Sequence, residues 1–460
     1  MNTSNQNARP ATGGAQDVFY ASNIQVPFPL ITRCEGIYMW DEDGNEYIDA
    51  SSGPVVSNIG HGNHRVADAM AAQAKQMDFA FSRVARHQSN IDLSDRITAL
   101  AGPGFERVCF SSGGSESMEI AIKFLRQYAL ATGAAQRRHV ITCLPSYHGG
   151  TITTLGLSGD DTLHEFLDGF ATCSEKVPAP LTYRLPEGET AESYADFCAD
   201  ALNSKIEALG AATVLAFVIE PIGGLASGCV VPPPSYFKKI REICNRHNVF
   251  LVYDEILCGT GRTGKFLAAH HHPDARPDVV VMAKGLASGY APLGATLISA
   301  ALVDELADLT GFNFSHTYNA NPITCATALA VMDEYERLSL VKMAEVRGTY
   351  LREKLEALAE KSEVMGDVRG QGLLFGIELV GNKSTKEMMP SDFNPTDRIR
   401  IHGLNNGLMI YSRRTANGKY GEWFVISPPL TISEDECDEL MRRLENTIAD
   451  LTEELRRLYP

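Results

Sequence analysis

The sequence predicts an α/β protein: a large domain on a mostly parallel central sheet flanked by helices, with a smaller α+β domain assembled from both ends of the chain. Two observations lead there. Between about residues 105 and 300, short apolar runs alternate with amphipathic stretches, the pattern of strands joined by helical crossovers. Two of those runs also end in charge. Val249-Phe250-Leu251-Val252-Tyr253 runs into Asp254-Glu255, and Val279-Val280-Val281-Met282-Ala283 runs into Lys284. Open α/β sheets bind ligands beyond the carboxyl ends of their strands, so an acid and an amine at two such ends are candidates for one site.

The elements follow in chain order. Residues 1–18 are rich in Asn, Ser, Gly and Ala, lack a long apolar core, and read as a disordered tail rather than a signal peptide. Residues 36–49 read as a hairpin turning at Asp43-Gly44. Strands are expected at 107–111, 139–144, 214–220, 249–254, 278–284 and 294–299. A helix at 116–128 would carry Met118, Ala121, Ile122 and Leu125 on one face. The chain turns helical at 320–360. Gly-rich strand material follows at 364–380, then a polar loop at 381–397. Ser433 and Glu436 form a capping box ahead of Leu440, Leu444, Ile448, Leu451, Leu455 and Leu458 at helical spacing. The expected domains are 19–60 with 326–460 (small) and 61–325 (large).

Composition narrows the partners. The chain has 460 residues, 44% of them hydrophobic, with 41 basic against 57 acidic residues for a net charge of −16. No basic stretch interleaved with aromatics appears, which argues against nucleic acid and anionic membrane. No run approaches the roughly 20 apolar residues of a membrane span. Ten cysteines, none in a C-x-x-C pair, read as reduced thiols of a cytoplasmic protein.

Several segments carry chemistry. A Lys at the mouth of a buried strand loses hydration, which lowers its pKa and frees its amine as a nucleophile or Schiff-base former. Lys284 with Asp254 is the amine and acid that a pyridoxal phosphate site requires. Gly113-Gly114-Ser115, between a strand and a helix, suits a phosphate at the first helical amides. Tyr147 could stack on a flat ring, and its neighbour His148 reads as a satisfied loop histidine. His270-His271-His272 lacks metal-ligand spacing. Gly259 to Gly264 matches G-x-G-x-x-G, with Asp278 about 20 residues on. The two prolines and missing apolar period between them remove the crossover helix a dinucleotide fold needs.

With these residues placed, the chain resembles the class III aminotransferases, pyridoxal-phosphate enzymes of fold type I. The matching stretches are SSGGSESMEIAIK, SYHGG, VIEPIGG, LVYDEILCGTGRTG, VMAKGLASGY, SHTYNANP and VRGQGLLFGIEL, in family order. The resemblance implies that Lys284 forms the internal aldimine and shuttles the proton during transamination. Asp254 would pair with the pyridinium nitrogen, and Glu220 would lie near it. Tyr147 and Ile256 would cover the two ring faces, with His148 alongside. Gly114 and Ser115 would bind the phosphate, and Thr317 would reach the phosphate of a neighbouring subunit. A homodimer at least is implied, with dimer and tetramer both left open. Arg262 and Glu255 would brace the site.

Departures from the family pattern bear on substrate. Members that act on α-carboxylates pair a Glu with a gated Arg, at positions occupied here by Leu225 and Val425. The resemblance therefore leans to amine and ω-amino-acid donors with a keto acid, expected to be pyruvate, as acceptor in a ping-pong cycle. The usual carboxylate-binding Arg falls at Tyr411. Arg414 is the first expectation to replace it and Arg413 the second. Tyr147 and the small Val55 would border the substrate. An aminomutase or amino-group racemase on the same fold is the alternative; a nicotinamide oxidoreductase is a more distant one.

Overall fold

A computed structural model describes residues 28–314 and 316–460. The expected tail at 1–18 lies outside the described residues. Seven strands make the central sheet: β1 (Arg107–Ser111), β2 (His139–Leu144), β3 (Glu175–Pro178), β4 (Val214–Ile219), β5 (Phe250–Asp254), β6 (Val279–Met282) and β7 (Gly294–Ile298). Their spatial order is β1-β7-β6-β5-β4-β2-β3. All neighbours are parallel except β7, which runs antiparallel to both β1 and β6. Every residue of β4 and β6 is buried, as expected of strands covered by helices on both faces.

Six of these strands coincide with expected ones to within two residues. The seventh, β3, was not expected. Its four residues include Glu175 and Lys176 at the sheet edge, too short and too charged to show a period. Helix α1 (Gly114–Ala131) is longer than the 116–128 expected. It buries Met118, Ala121 and Leu125 together with Phe124, while Ile122 is only partly covered.

Both chain ends supply the smaller sheets. Ile31–Glu35, Tyr38–Asp41 and Glu46–Asp49 form an antiparallel meander extended by Leu408–Met409, which pairs in parallel with Ile48 and Asp49. Asp41 pins the hairpin turn by accepting from the amides of Asp43 (3.0 Å) and Asn45 (2.8 Å). A second antiparallel sheet joins Met365–Gln371, Leu374–Leu379, Glu422–Ile426 and Tyr411–Arg413. The final helix, Glu434–Leu458, opens with the expected reciprocal box between Ser433 and Glu436 and buries Leu440, Leu444, Ile448 and Leu451. Leu458 at its frayed end is exposed. Between Gly259 and Asp278 the chain makes two short 3-10 turns, Ala268–His271 and Pro273–Ala275, and no crossover helix. Among the described residues no helix is long and apolar enough to cross a membrane.

Candidate active site

A cavity of about 500 Å³ opens at the carboxyl ends of β4, β5 and β6. Asp254 is the last residue of β5, and its backbone pairs with Val281 of β6. Lys284 follows β6 by two residues and holds a left-handed backbone (φ +46°), a conformation unusual for a side chain other than Gly. Burial pushes the Lys284 ammonium below its ordinary range, while Asp254 and Glu220 oppose the shift. Amine, acid and Glu220 all line the same cavity.

His148 is not a satisfied loop histidine. It is buried, and its Nδ1 lies 2.8 Å from Asp254 Oδ2. Its Nε2 is also buried and has no hydrogen-bond partner among the described residues. Asp254 Oδ1 accepts from the Ile256 amide at 3.1 Å, so both carboxylate oxygens are anchored. Glu220 accepts from the amides of Tyr147 (3.2 Å) and Gly224 (2.9 Å). Burial pushes its carboxyl up to about 7; Asp254 adds to that rise, and His148 and the two amides oppose it.

The N-terminus of α1 forms one end of the cavity, with Gly113, Gly114 and Ser115 lining it. A Cβ placed on Gly114 would lie 2.8 Å from Ile256 Cδ1, so the cup is closely fitted to the wall residue opposite it. Ser115 Oγ accepts from the Gly150 amide (2.9 Å), tying the cup to the Tyr147-His148-Gly149 turn. A helix N-terminus free of side-chain caps, a desolvated amine, an anchored carboxylate and an exposed tyrosine face fit pyridoxal phosphate in each of its parts.

Comparison with known proteins agrees. The model of the family described as aminotransferase class-III matches residues 19–448. The chain belongs to the class III aminotransferases. It is 33% identical over 417 residues to the putrescine–pyruvate aminotransferase of Pseudomonas aeruginosa, covering 90% of this chain and 88% of that one. It is 32% identical over 434 residues to a leucine/methionine racemase of Thermococcus litoralis, covering 94% and 93%. It also superposes on an amine transaminase from an uncultivated Pseudomonas species, solved in its pyridoxal-phosphate-bound form. That match has a TM-score of 0.88 and 31% identity, covering 95% of this chain and 99% of that one. Like the family, this aminotransferase is an α/β protein of fold type I and depends on pyridoxal phosphate.

The remaining residues divide. Ile256 and Tyr147 line the cavity; Thr317 is exposed and does not. Two substrate expectations need correction. Arg414 does not line the cavity: it turns away and pairs with buried Glu422 at 2.7 Å. Arg413 does line it, with its guanidinium carbon 4.9 Å from the Tyr147 ring centroid. The cause is strand alternation. In Tyr411–Arg413, residues two apart share a face, so Arg413 follows Tyr411 into the cavity and Arg414 points elsewhere. Counting by two from Tyr411 is the signal that would have put Arg413, and not Arg414, on the cavity side.

Val55 is also misplaced as a wall residue. Its own backbone is left-handed (φ +63°), and its side chain packs into an apolar cluster with Leu225 and Val425. Pro54 and Val56 line the cavity instead. That same cluster joins the two positions where α-carboxylate enzymes keep their Glu and Arg. Glu255, fully buried, accepts from the amides of Ala268 and Ala269 (2.5 and 2.8 Å), and burial pushes its carboxyl up to about 8. Arg262, also buried, donates to the Leu373 and Pro428 carbonyls and to Asn58 Oδ1. The three consecutive histidines separate: His270 meets the Ala101 carbonyl, His271 meets Gln371, and His272 stacks on Phe237.

Proposed function

We propose that this aminotransferase moves an amino group from an amine or ω-amino acid to a short keto acid, with pyruvate the expected acceptor. The carrying observation is one cavity that holds Lys284 and Asp254 at its floor and Arg413 at its side, with apolar Leu225 where a gating Glu would be. Pyridoxal phosphate, when bound, supplies an electron sink for the charge left as a proton leaves the substrate carbon. Lys284 would hold the cofactor covalently and then move that proton on Nζ, and burial shifts it in the direction that favours the neutral amine. Asp254, anchored by His148 Nδ1, would keep a proton on the ring nitrogen. Glu220 would sit beside that pair. Gly114, Ser115 and the first amides of α1 would take the phosphate, and Tyr147 and Ile256 would restrict the ring between them.

Arg413 is the expected receptor for the keto-acid carboxylate, through charge-assisted hydrogen bonds. Thr317, exposed on the chain's own surface, is assigned to the phosphate of a partner subunit in a homodimer. The compartment is expected to be cytoplasmic.

Borohydride reduction of the holoenzyme followed by peptide mapping tests the centre of the reading. The expected label is a pyridoxyl group on Lys284, absent in Lys284→Ala. A label elsewhere refutes the assignment. Supplying an amine without a keto acid separates the two family outcomes. Transamination stops after one equivalent of amine is consumed, whereas a racemase keeps turning over.

A further inference from the structure

A site that takes a carboxylate in one half of its cycle and an uncharged group in the other must accommodate its cation when no carboxylate is bound. A guanidinium left unpaired in a partly desolvated cavity is costly. Arg413 has a resident counter-charge. Its Nη2 lies 3.4 Å from Asp160 Oδ2, and the Asp160 side chain is only 5% exposed against 23% for Arg413.

Asp160 is rigidly held. Its Oδ1 caps the helix Asp161–Leu167, accepting from the amide (3.2 Å) and hydroxyl (2.7 Å) of Thr162. The residues before it are built into the Tyr147 turn. Gly159 and Ser146 exchange backbone hydrogen bonds, and Ser158 Oγ accepts from the His148 amide at 2.9 Å. The Arg413 backbone is fixed in its strand, but its side chain makes one long contact with the acid. A separation of 3.4 Å exceeds the usual 2.7–3.2 Å of a strong N–H···O bond, so the fork keeps donors to offer elsewhere.

We infer that Asp160 is a specificity-determining positioning residue: it neutralises Arg413 while an uncharged donor occupies the cavity and competes with the acceptor's carboxylate for the same guanidinium. This rests on the reading of Arg413 as carboxylate receptor. Its consequence is that the acid lowers acceptor affinity and raises donor affinity.

The test uses the pyridoxal-phosphate holoenzyme as wild type, Asp160→Asn, Arg413→Ala and the double variant. Asn caps helices as well as Asp does, so the fold is retained. Two measurements are made: KM for pyruvate and for 1-phenylethylamine, and equilibrium binding of propionate, a carboxylate that does not react. Asp160→Asn is expected to tighten pyruvate and propionate about fivefold, the ratio set by losing a competing ion pair of ordinary strength. It should raise the amine KM about twofold or more, because the guanidinium is then left unpaired beside the donor's apolar ring. Both effects should disappear in the Arg413→Ala background. Unchanged or weakened carboxylate binding in Asp160→Asn, or a shift that persists in the double variant, overturns the inference. If Arg413→Ala alone leaves pyruvate and propionate unaffected, the receptor reading itself fails and the role of Asp160 falls with it.

Discussion

Gly114→Ala puts one carbon where the phosphate cup meets the wall of the cavity. That carbon would lie 2.8 Å from Ile256 Cδ1, 3.0 Å from Cγ2 and 3.2 Å from Cγ1. Ordinary contact begins near 3.4 Å, so Ile256 must retreat by about 0.6 Å at its tip. Ile256 is half-buried and borders the cavity, so the space open to it is the space assigned to the cofactor ring. Overpacking of this kind costs about 1–2 kcal/mol. If the displaced side chain intrudes on the ring, that cost appears as a loss of pyridoxal phosphate affinity of about tenfold, since 1.4 kcal/mol is one decade. The apoprotein, in which the tip can swing into the cavity, should unfold at nearly the same urea concentration as wild type. Equilibrium dialysis of pyridoxal phosphate against apoprotein measures the first quantity and a denaturation curve the second. Ile256→Val deletes the 2.8 Å contact, so the double variant should regain about half of the lost affinity. Wild-type cofactor affinity in Gly114→Ala, with no rescue by Ile256→Val, would refute the close fit of cup to wall.

Three further variants probe the same site. Val55→Ala should destabilise the protein by about 1–3 kcal/mol in urea unfolding and leave the amine range unchanged, because Val55 packs inward. Val56→Phe should narrow the amine range with little loss of stability, and the reverse pattern would restore Val55 to the wall. Glu220 gives a pH signature in the apoprotein. Its carboxyl titrates near 7 when folded and at an ordinary glutamate value of 4.5 when unfolded, so the native state binds the extra proton. Stability attached to Glu220 is therefore complete below about pH 4.5 and lost as pH rises through 7. Glu220→Gln should stabilise the apoprotein at pH 8 relative to wild type and have little effect at pH 4.5; a gain confined to low pH would reverse the sign of the argument.

Much of this site was legible because its central groups sit at the ends of uninterrupted apolar runs. Val279 to Ala283 and Val249 to Tyr253 declare buried strands. A parallel sheet then brings Lys284 and Asp254 to one edge without any long-range information. That Gly113, Gly114 and Ser115 line the cavity was legible for a similar reason, since a Gly-Gly-Ser turn between strand and helix is a local signal. The edge strand Glu175–Pro178 was not, because four residues with two charges carry no periodicity.

What escaped the sequence depends on backbone direction or on contacts distant along the chain. His148 and Asp254 are 106 positions apart, and nothing local says that the ring turns inward to meet the acid. Val55 was placed by resemblance alone; it ends the short, kinked segment Ser52–Val55, where no period gives a side chain's direction. Arg413 and Arg414 are the more instructive pair. Adjacent arginines in a polar loop look equivalent until the loop is seen to begin as a strand, whereupon period two separates them. One guanidinium goes to buried Glu422 and becomes structural; the other joins Tyr147 and Asp160. The carboxylate partner, more than the arginine itself, distinguishes the two. An acid buried in the protein's own framework holds Arg414 out of the cavity, whereas a longer, single contact to Asp160 leaves Arg413 able to exchange partners. The two partners differ in reach along the chain: Glu422 belongs to the strand paired with Tyr411–Arg413, whereas Asp160, the cap of the helix Asp161–Leu167, lies 253 positions from Arg413 and meets it only in the folded chain.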